Sequence, residues 1–204
     1  MDFQHPVEAV IPGVQGRILG VLGRTTAELN LRTIARLAEV SPAQASRVLP
    51  GLVDLGVVDR REAPPSALFR LNDSHMVTAW VRELADARAA VLDRMADAAA
   101  QWTPAPVSVV VFGSFARGEA TVVSDIDVVA VRPDGITDDD WFGPLETWRA
   151  EVRGYSGNAV AAITADRREA SASLRGRKPL WRDIARDGVV VFGAALDDLR
   201  AARG

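Results

Sequence analysis

The chain has 204 residues, a formal net charge of −3, no cysteine and two histidines, His5 and His75. This length permits one large domain or two small ones. The lack of cysteine excludes disulfides and thiolate chemistry, and two histidines leave a zinc site short of ligands. No apolar run reaches the ~20 residues that a bilayer span requires, and residues 1–13 lack the pattern of a signal peptide. We therefore expect a cytoplasmic protein with no membrane partner.

The charge is unevenly distributed along the chain. The net negative value argues against indiscriminate binding to polyanions. Residues 1–72 nevertheless carry eight arginines against seven acidic residues, whereas the remainder has an acidic excess. We expect any contact with nucleic acid to come from residues 1–72.

Residues 13–72 show three short helical patterns followed by a hairpin pattern. Apolar residues recur at helical spacing around Ile18, Ile34 and Leu49. Ser41-Pro42 predicts the start of the third helix, because serine favours the N-cap and proline the first helical position. Gly56 predicts its end. Two β-rich stretches, 57–61 and 68–71, then flank a proline-rich turn, which indicates a two-stranded wing.

The stretch VSPAQASRVLPGLVDLGVVDRR (40–61) resembles bacterial regulators of the winged helix-turn-helix family. The resemblance implies that the third helix enters a DNA groove, with Gln44, Ser46 and Arg47 as contacting residues. Pro50 departs from the pattern and predicts a kink, since proline removes a helical hydrogen bond. A packing or dimerisation module remains the alternative role.

Residues 73–103 predict one connecting helix with a continuous apolar stripe. The stripe comprises Trp80, Leu84, Ala87, Val91, Met95, Ala98 and Trp102. Such a stripe requires a partner, either the core of the same chain or its copy in a homodimer. The pattern leaves both alternatives open.

Two aspartates follow a strand and a glycine-serine turn at a defined distance. The β-branched run 107–112 predicts a buried strand that ends in Gly113-Ser114, and Asp125 and Asp127 follow after ten intervening residues. Strand alternation places both carboxylates on one side. Carboxylates held this close repel each other unless a cation such as Mg²⁺ neutralises them. Glycine also lets backbone amides approach a phosphate. The pattern predicts a site for a metal-nucleotide complex.

The stretch GSFARGEATVVSDIDVVAV (113–131) resembles the nucleotidyltransferase superfamily, particularly its minimal prokaryotic members. The resemblance implies that Gly113, Ser114 and Arg117 bind a nucleoside triphosphate such as ATP. It also implies that Asp125 and Asp127 are catalytic and hold Mg²⁺. Active members usually carry a third carboxylate on a later strand, but the matching run NAVAAI (158–163) contains none. Asp166 or Glu169 is a third ligand only if the chain bends favourably.

The expected fold is therefore a two-domain α+β protein. It comprises a winged helix-turn-helix (1–72), a connecting helix (73–103) and a nucleotidyltransferase-like mixed sheet (104–204). The leading hypothesis is transfer of a nucleoside monophosphate to a hydroxyl of a protein or a nucleic acid such as tRNA. One alternative is a transcriptional regulator whose second domain only binds nucleotide or is degenerate. A further alternative is an antitoxin-like component of a toxin-antitoxin pair.

Overall fold

The structure, a computed structural model, describes residues 1–201 and divides into two compact units. The amino-terminal unit comprises residues 4–87 together with Asp2. The carboxyl-terminal unit begins at Arg88 and also includes Met1 and Phe3. Among the described residues, no helix has both the length and the apolar content needed to cross a membrane.

The amino-terminal unit packs four helices against a small antiparallel sheet of order β1-β3-β2. Its core centres on Ile18, Ile34, Leu49 and Leu71, all essentially inaccessible to solvent. In chain order its elements are α1 (Val14–Gly23), β1 (Leu29–Asn30), α2 (Leu31–Leu37), α3 (Pro42–Asp54), β2 (Val58–Ala63), β3 (Ser66–Leu71) and α4 (Met76–Ala85). The expected winged helix-turn-helix layout is confirmed.

Local sequence signals set the limits of α3. Ser41 forms a capping box with Gln44: its hydroxyl accepts the Gln44 amide, and the Gln44 side chain accepts the Ser41 amide. Gly56 follows the helix with φ of 74°, a left-handed conformation that glycine adopts without strain. The helix continues through Pro50 to Asp54.

The segment expected to form one connecting helix contains two, α4 and α5 (Ala87–Ala99), separated at Asp86. The predicted apolar stripe therefore does not continue across the break. Trp80 is 65% exposed, and Val81 and Ala85 form the buried face of α4 instead. Trp80 therefore does not pack in the core of its own chain, and its packing against a second copy in a homodimer stays a prediction.

The carboxyl-terminal unit is a mixed four-stranded sheet of order β6-β5-β4-β7, in which only β5 and β6 are parallel. After α5, its elements are β4 (Ser108–Phe112), α6 (Gly113–Arg117), β5 (Ile126–Arg132), α7 (Asp138–Ser156), β6 (Val160–Asp166), α8 (Arg167–Arg175), α9 (Pro179–Asp187), β7 (Val189–Gly193) and α10 (Leu196–Ala201). The final apolar run forms the closing strand β7, as expected.

Every second residue of β4 and β5 points to one face of the sheet, which is covered by helices. Val110, Phe112, Val129 and Val131 pack with apolar residues of α8, α9 and α10. Since Asp127 has the same parity as Val129 and Val131, its side chain lies on this face, at the end of β5. The residues of opposite parity are equally buried. Asp127 is only partly buried, whereas its neighbours Ile126 and Val128 on β5 are fully buried.

Candidate functional site

The Gly113 turn and the Asp127 carboxylate lie against each other. Strands β4 and β5 pair antiparallel with Phe112 opposite Asp127, so the chain leaves β4 directly beside that aspartate. Gly113 has φ of 71°, and a Cβ atom at this position would overlap Oδ2 of Asp127. Glycine is therefore required twice, for its backbone conformation and for the close approach of a carboxylate.

The two aspartates of the motif influence each other electrostatically. Asp125 is exposed immediately before β5, and Asp127 is partly buried within it. Burial raises the pKa of Asp127, the charge of Asp125 raises it further, and the nearby Arg117 guanidinium opposes both effects. The fold thus brings together two carboxylates whose ionised forms a cation would stabilise.

Arg117 lies at the end of α6 and is held by two acidic residues. Its Nε is 2.8 Å from Glu119 and its guanidinium is 3.8 Å from Asp187 of α9. Ser114 lies in the first turn of the same short helix and is half-buried. The structure therefore places Gly113, Ser114, Arg117 and Asp127 around one turn, with Arg117 already engaged in ion pairs.

Asp166 does not join this site. In the parallel pairing of β5 with β6, Asp127 lies beside Ala161, whereas Asp166 lies beside Arg132. Five residues of strand separate the two positions, or roughly 16 Å. The Asp166 carboxylate instead caps α8 by accepting the Glu169 amide. Asp166 is therefore rejected as a ligand, and residues 1–201 contain no cluster of three acidic or histidine side chains placed to hold a metal ion.

Two residues that the sequence did not single out as functional position the site. Asn158 is buried, and its amide donates to the carbonyls of Thr121 (3.0 Å) and Ser124 (2.8 Å), fixing the loop that leads to Asp125. Arg88 of α5 donates to the carbonyls of Phe115 and Ala116 at the end of α6. The sequence shows the pair Gly157-Asn158 before the run that becomes β6, but the hydrogen-bond partners of Asn158 are 34 and 37 residues away and could not be identified from it.

The three residues predicted to contact DNA lie exposed on the first half of α3. The side-chain oxygen of Gln44 is occupied in the capping box. Ser46 borders a cavity between α3 and the β2–β3 wing. Arg47 makes no ion pair with any residue in the described range 1–201. Of the three, Arg47 has the side chain best suited to a phosphate contact.

Comparison with known protein families identifies both units. Residues 92–152 match the model described as "Nucleotidyltransferase domain". Residues 16–62 match the model described as "IclR helix-turn-helix domain". The chain thus contains a nucleotidyltransferase domain. Preceding it is a helix-turn-helix domain of the IclR type, which matches the fused architecture expected from the sequence.

No curated protein matches the chain. Among solved structures, a similarity is found to one titled "Crystal structure of the toxin-antitoxin with AMP-PNP". The identity is 16%, the TM-score is 0.36, and the match covers 52% of this chain and 77% of the other. A likeness of this extent carries no functional argument, so the antitoxin-like role stays a prediction.

Proposed function

We propose that the carboxyl-terminal unit is a Mg²⁺-dependent nucleotidyltransferase, which transfers a nucleoside monophosphate from a nucleoside triphosphate to an acceptor hydroxyl. The observation that carries this proposal is the contact geometry of Gly113 with Asp127, reinforced by the charge of Asp125. A glycine turn that meets one of two paired carboxylates provides adjacent places for a triphosphate and for its cation.

Each residue has a role that follows from its position. Asp125 and Asp127 would hold the cation, and their mutual repulsion is the reason that the pair fits one. Magnesium supplies charge neutralisation at the phosphates and activates the attacking oxygen. Gly113 and Ser114 orient the triphosphate, and Arg117 contacts it only by giving up its ion pairs with Glu119 and Asp187. The acceptor oxygen bonds to the α-phosphorus, the α–β phosphoanhydride bond breaks, and pyrophosphate leaves.

Ala161 limits the proposed reaction. It lies beside Asp127 on β6, on the same face of the sheet, where a third carboxylate would complete the metal site. With alanine there, Asp125 and Asp127 would be the two protein carboxylates that hold the cation, and no third carboxylate would be placed to accept the proton of the acceptor hydroxyl, which would pass to water. We therefore expect slow turnover with retained nucleotide binding.

The proposal is tested with labelled nucleoside triphosphates, magnesium, and protein and RNA acceptors. We expect transfer by the wild type and background transfer by Asp127→Asn. Asp134→Asn is the matched control, because Asp134 is exposed outside the site and the charge change is identical. Calorimetry with nucleoside triphosphates, with and without magnesium, measures binding separately. Equal binding and transfer by wild type and Asp127→Asn would reject the proposed site.

A second function, DNA-dependent regulation by the amino-terminal unit, is favoured by the distribution of arginine ion pairs. The wing arginines are neutralised: Arg60 pairs with Glu62, Arg61 with Glu28, and Arg70 with Asp59. On α2 and α3, by contrast, Arg32, Arg36 and Arg47 are exposed, and among residues 1–201 none has an acidic partner. We infer that these helices, rather than the wing, supply the main phosphate contacts.

Mobility shifts on promoter fragments at stated salt concentrations test this second function. Arg47→Gln should weaken binding, whereas Arg153→Gln, an equal charge change at an exposed position of α7, should not. Lack of any shift by the wild type would instead favour a packing or dimerisation role for this unit.

A further inference from the structure

A strongly basic segment occurs within the otherwise acidic chain. Residues 167–186 contain seven basic side chains and two acidic ones, although the whole protein has a net charge of −3. The segment spans α8, the following loop and most of α9. This concentration of charge lies in the carboxyl-terminal unit.

Four arginines of this region and its surroundings converge on one open groove. Arg177 from the loop, Arg182 and Arg186 from α9, and Arg200 from α10 line it. Arg182 and Arg186 are one helical turn apart on α9, and the opposite face of that helix buries Trp181 and Ile184. The fold thus fixes the direction of the arginine-bearing face.

Most of this positive charge has no internal partner. Arg186 pairs with Asp183 and Asp187. Within residues 1–201, Arg177, Arg182 and Arg200 take part in no ion pair. Like charges gathered in one groove repel one another, and a bound polyanion would remove that repulsion.

The groove connects to the candidate nucleotide site through a chain of ion pairs. Arg186 contacts Asp187 at 2.8 Å, and Asp187 contacts Arg117 at 3.8 Å. Arg117 ends α6, the short helix that begins at Gly113. An extended ligand lying in the groove would therefore have one end near the turn proposed to hold the triphosphate.

We propose that this groove binds the phosphodiester backbone of a single-stranded nucleic acid, which is the acceptor in the transfer reaction. The assignment as acceptor rests on the proposed function, whereas the binding itself does not. The planar guanidinium donates two parallel hydrogen bonds to a phosphate, which suits a row of arginines to a phosphodiester chain. An acidic peptide would also need apolar anchor pockets, but arginines dominate the lining.

Fluorescence anisotropy tests the groove with a labelled oligouridylate and a deoxyribonucleotide of the same length, without nucleoside triphosphate or magnesium. The groove variant is Arg177→Gln/Arg182→Gln. The matched control is Arg167→Gln/Arg168→Gln, two exposed arginines at the start of α8 outside the groove. We expect about tenfold weaker binding for the groove variant and a salt slope shallower by about 0.7 per lost phosphate contact. The control variant should bind like the wild type.

All four substituted arginines are exposed, so both double variants should remain folded, and their unfolding curves verify this. If both double variants weaken oligonucleotide binding equally, the binding depends on net charge and not on the groove, and the proposal is wrong. Competition by polyglutamate as strong as competition by unlabelled oligonucleotide would overturn it in favour of an acidic peptide. Tighter binding of the ribo-oligomer than of the deoxyribo-oligomer would support the proposal with RNA as the preferred ligand of the groove. Binding of the oligonucleotide without transfer to it would overturn its assignment as the acceptor, whereas lack of transfer to every protein and RNA acceptor would reject the proposed function and leave the binding assignment intact.

Discussion

Gly113→Ala directly tests the contact geometry of the proposed site. The substitution adds one methyl group at φ of 71°, in a position where that group would overlap the Asp127 carboxylate. Gly135→Ala is the matched control, since Gly135 has φ of 75° and an added Cβ would meet no atom within 4 Å. In both variants alanine is forced into the same positive-φ backbone conformation, but only Gly113→Ala also displaces the Asp127 side chain.

The expected magnitudes follow from these two terms. A left-handed conformation costs a residue with a Cβ about 1–2 kcal/mol. The reduced entropy of the unfolded chain offsets about 0.4–1 kcal/mol of that. Gly135→Ala should therefore lower the free energy of unfolding by roughly 1 kcal/mol. Gly113→Ala must also force Asp127 from its rotamer, which adds about 0.5–1.5 kcal/mol. Its total loss should be about 2 kcal/mol.

Chemical denaturation measures both losses, and calorimetry measures magnesium-nucleotide binding by the same variants. Gly113→Ala should weaken nucleotide binding, and Gly135→Ala should leave it unchanged. In an Asp127→Ala background the carboxylate is absent, so Gly113→Ala should cost no more than Gly135→Ala. Equal losses for the two glycine variants in the wild-type background would refute the reasoning.

Three further predictions concern the same unit. Ala161→Asp should add the third carboxylate beside Asp127 and raise the magnesium-dependent transfer rate, which labelled triphosphate measures; an unchanged rate at saturating magnesium would contradict this. Asn158→Ala should lower the free energy of unfolding by about 1–3 kcal/mol, since two carbonyls of the 121–124 loop lose their hydrogen-bond donor. A loss within measurement error would show that the loop keeps its conformation without Asn158. Burial and the charge of Glu151 raise the pKa of Tyr155 to about 12. Since Tyr155 is the only tyrosine in the sequence, the absorbance of tyrosinate reports this residue alone. Tyrosinate should appear near pH 12 in the folded protein and near pH 10 after denaturation. Because the pKa of Tyr155 is higher in the folded than in the denatured protein, the free energy of unfolding should decrease as the pH rises from about 10 to about 12. If folded and denatured protein titrate at the same pH, this prediction is wrong.

A fifth prediction concerns the pH dependence of stability without divalent cations. The folded state raises the pKa of Asp127, so the folded carboxyl binds its proton more tightly than the unfolded one. Stability should therefore fall as pH rises from the ordinary aspartate value through the raised value, and stay lower above it. Asp127→Asn lacks this loss and should unfold at a higher temperature than the wild type at neutral pH. If the wild type and Asp127→Asn have the same melting temperature at every pH from acid to neutral, the raised pKa of Asp127 does not lower the stability of the folded protein.

Local patterns in the sequence were sufficient to predict several elements. Ser41-Pro42 and Gly56 delimit α3 through capping and backbone conformation, which depend on a few neighbouring residues. The apolar run that becomes β4 and the alternation around Asp127 are equally local. The family match from residue 92 to residue 152 contains this same motif.

Predictions that extended one periodicity over a long segment were less accurate. The spacing predicts one continuous apolar stripe from Trp80 to Trp102, but the helix breaks at Asp86. Packing within each unit, rather than continuous helical phase, decides which face of α4 is buried. No pattern within a single helix records that decision.

The sequence by itself determined that a glycine-serine turn and two aspartates occur at a spacing that predicts a metal-nucleotide site. It also determined the order of the helix-turn-helix elements, because caps, turns and periodicity act over a few residues. Only the tertiary structure decided that Gly113 meets Asp127, that Asp166 lies at the far end of β6, and that four arginines share a groove. Those outcomes depend on strand register and helix packing, which join residues far apart in the chain.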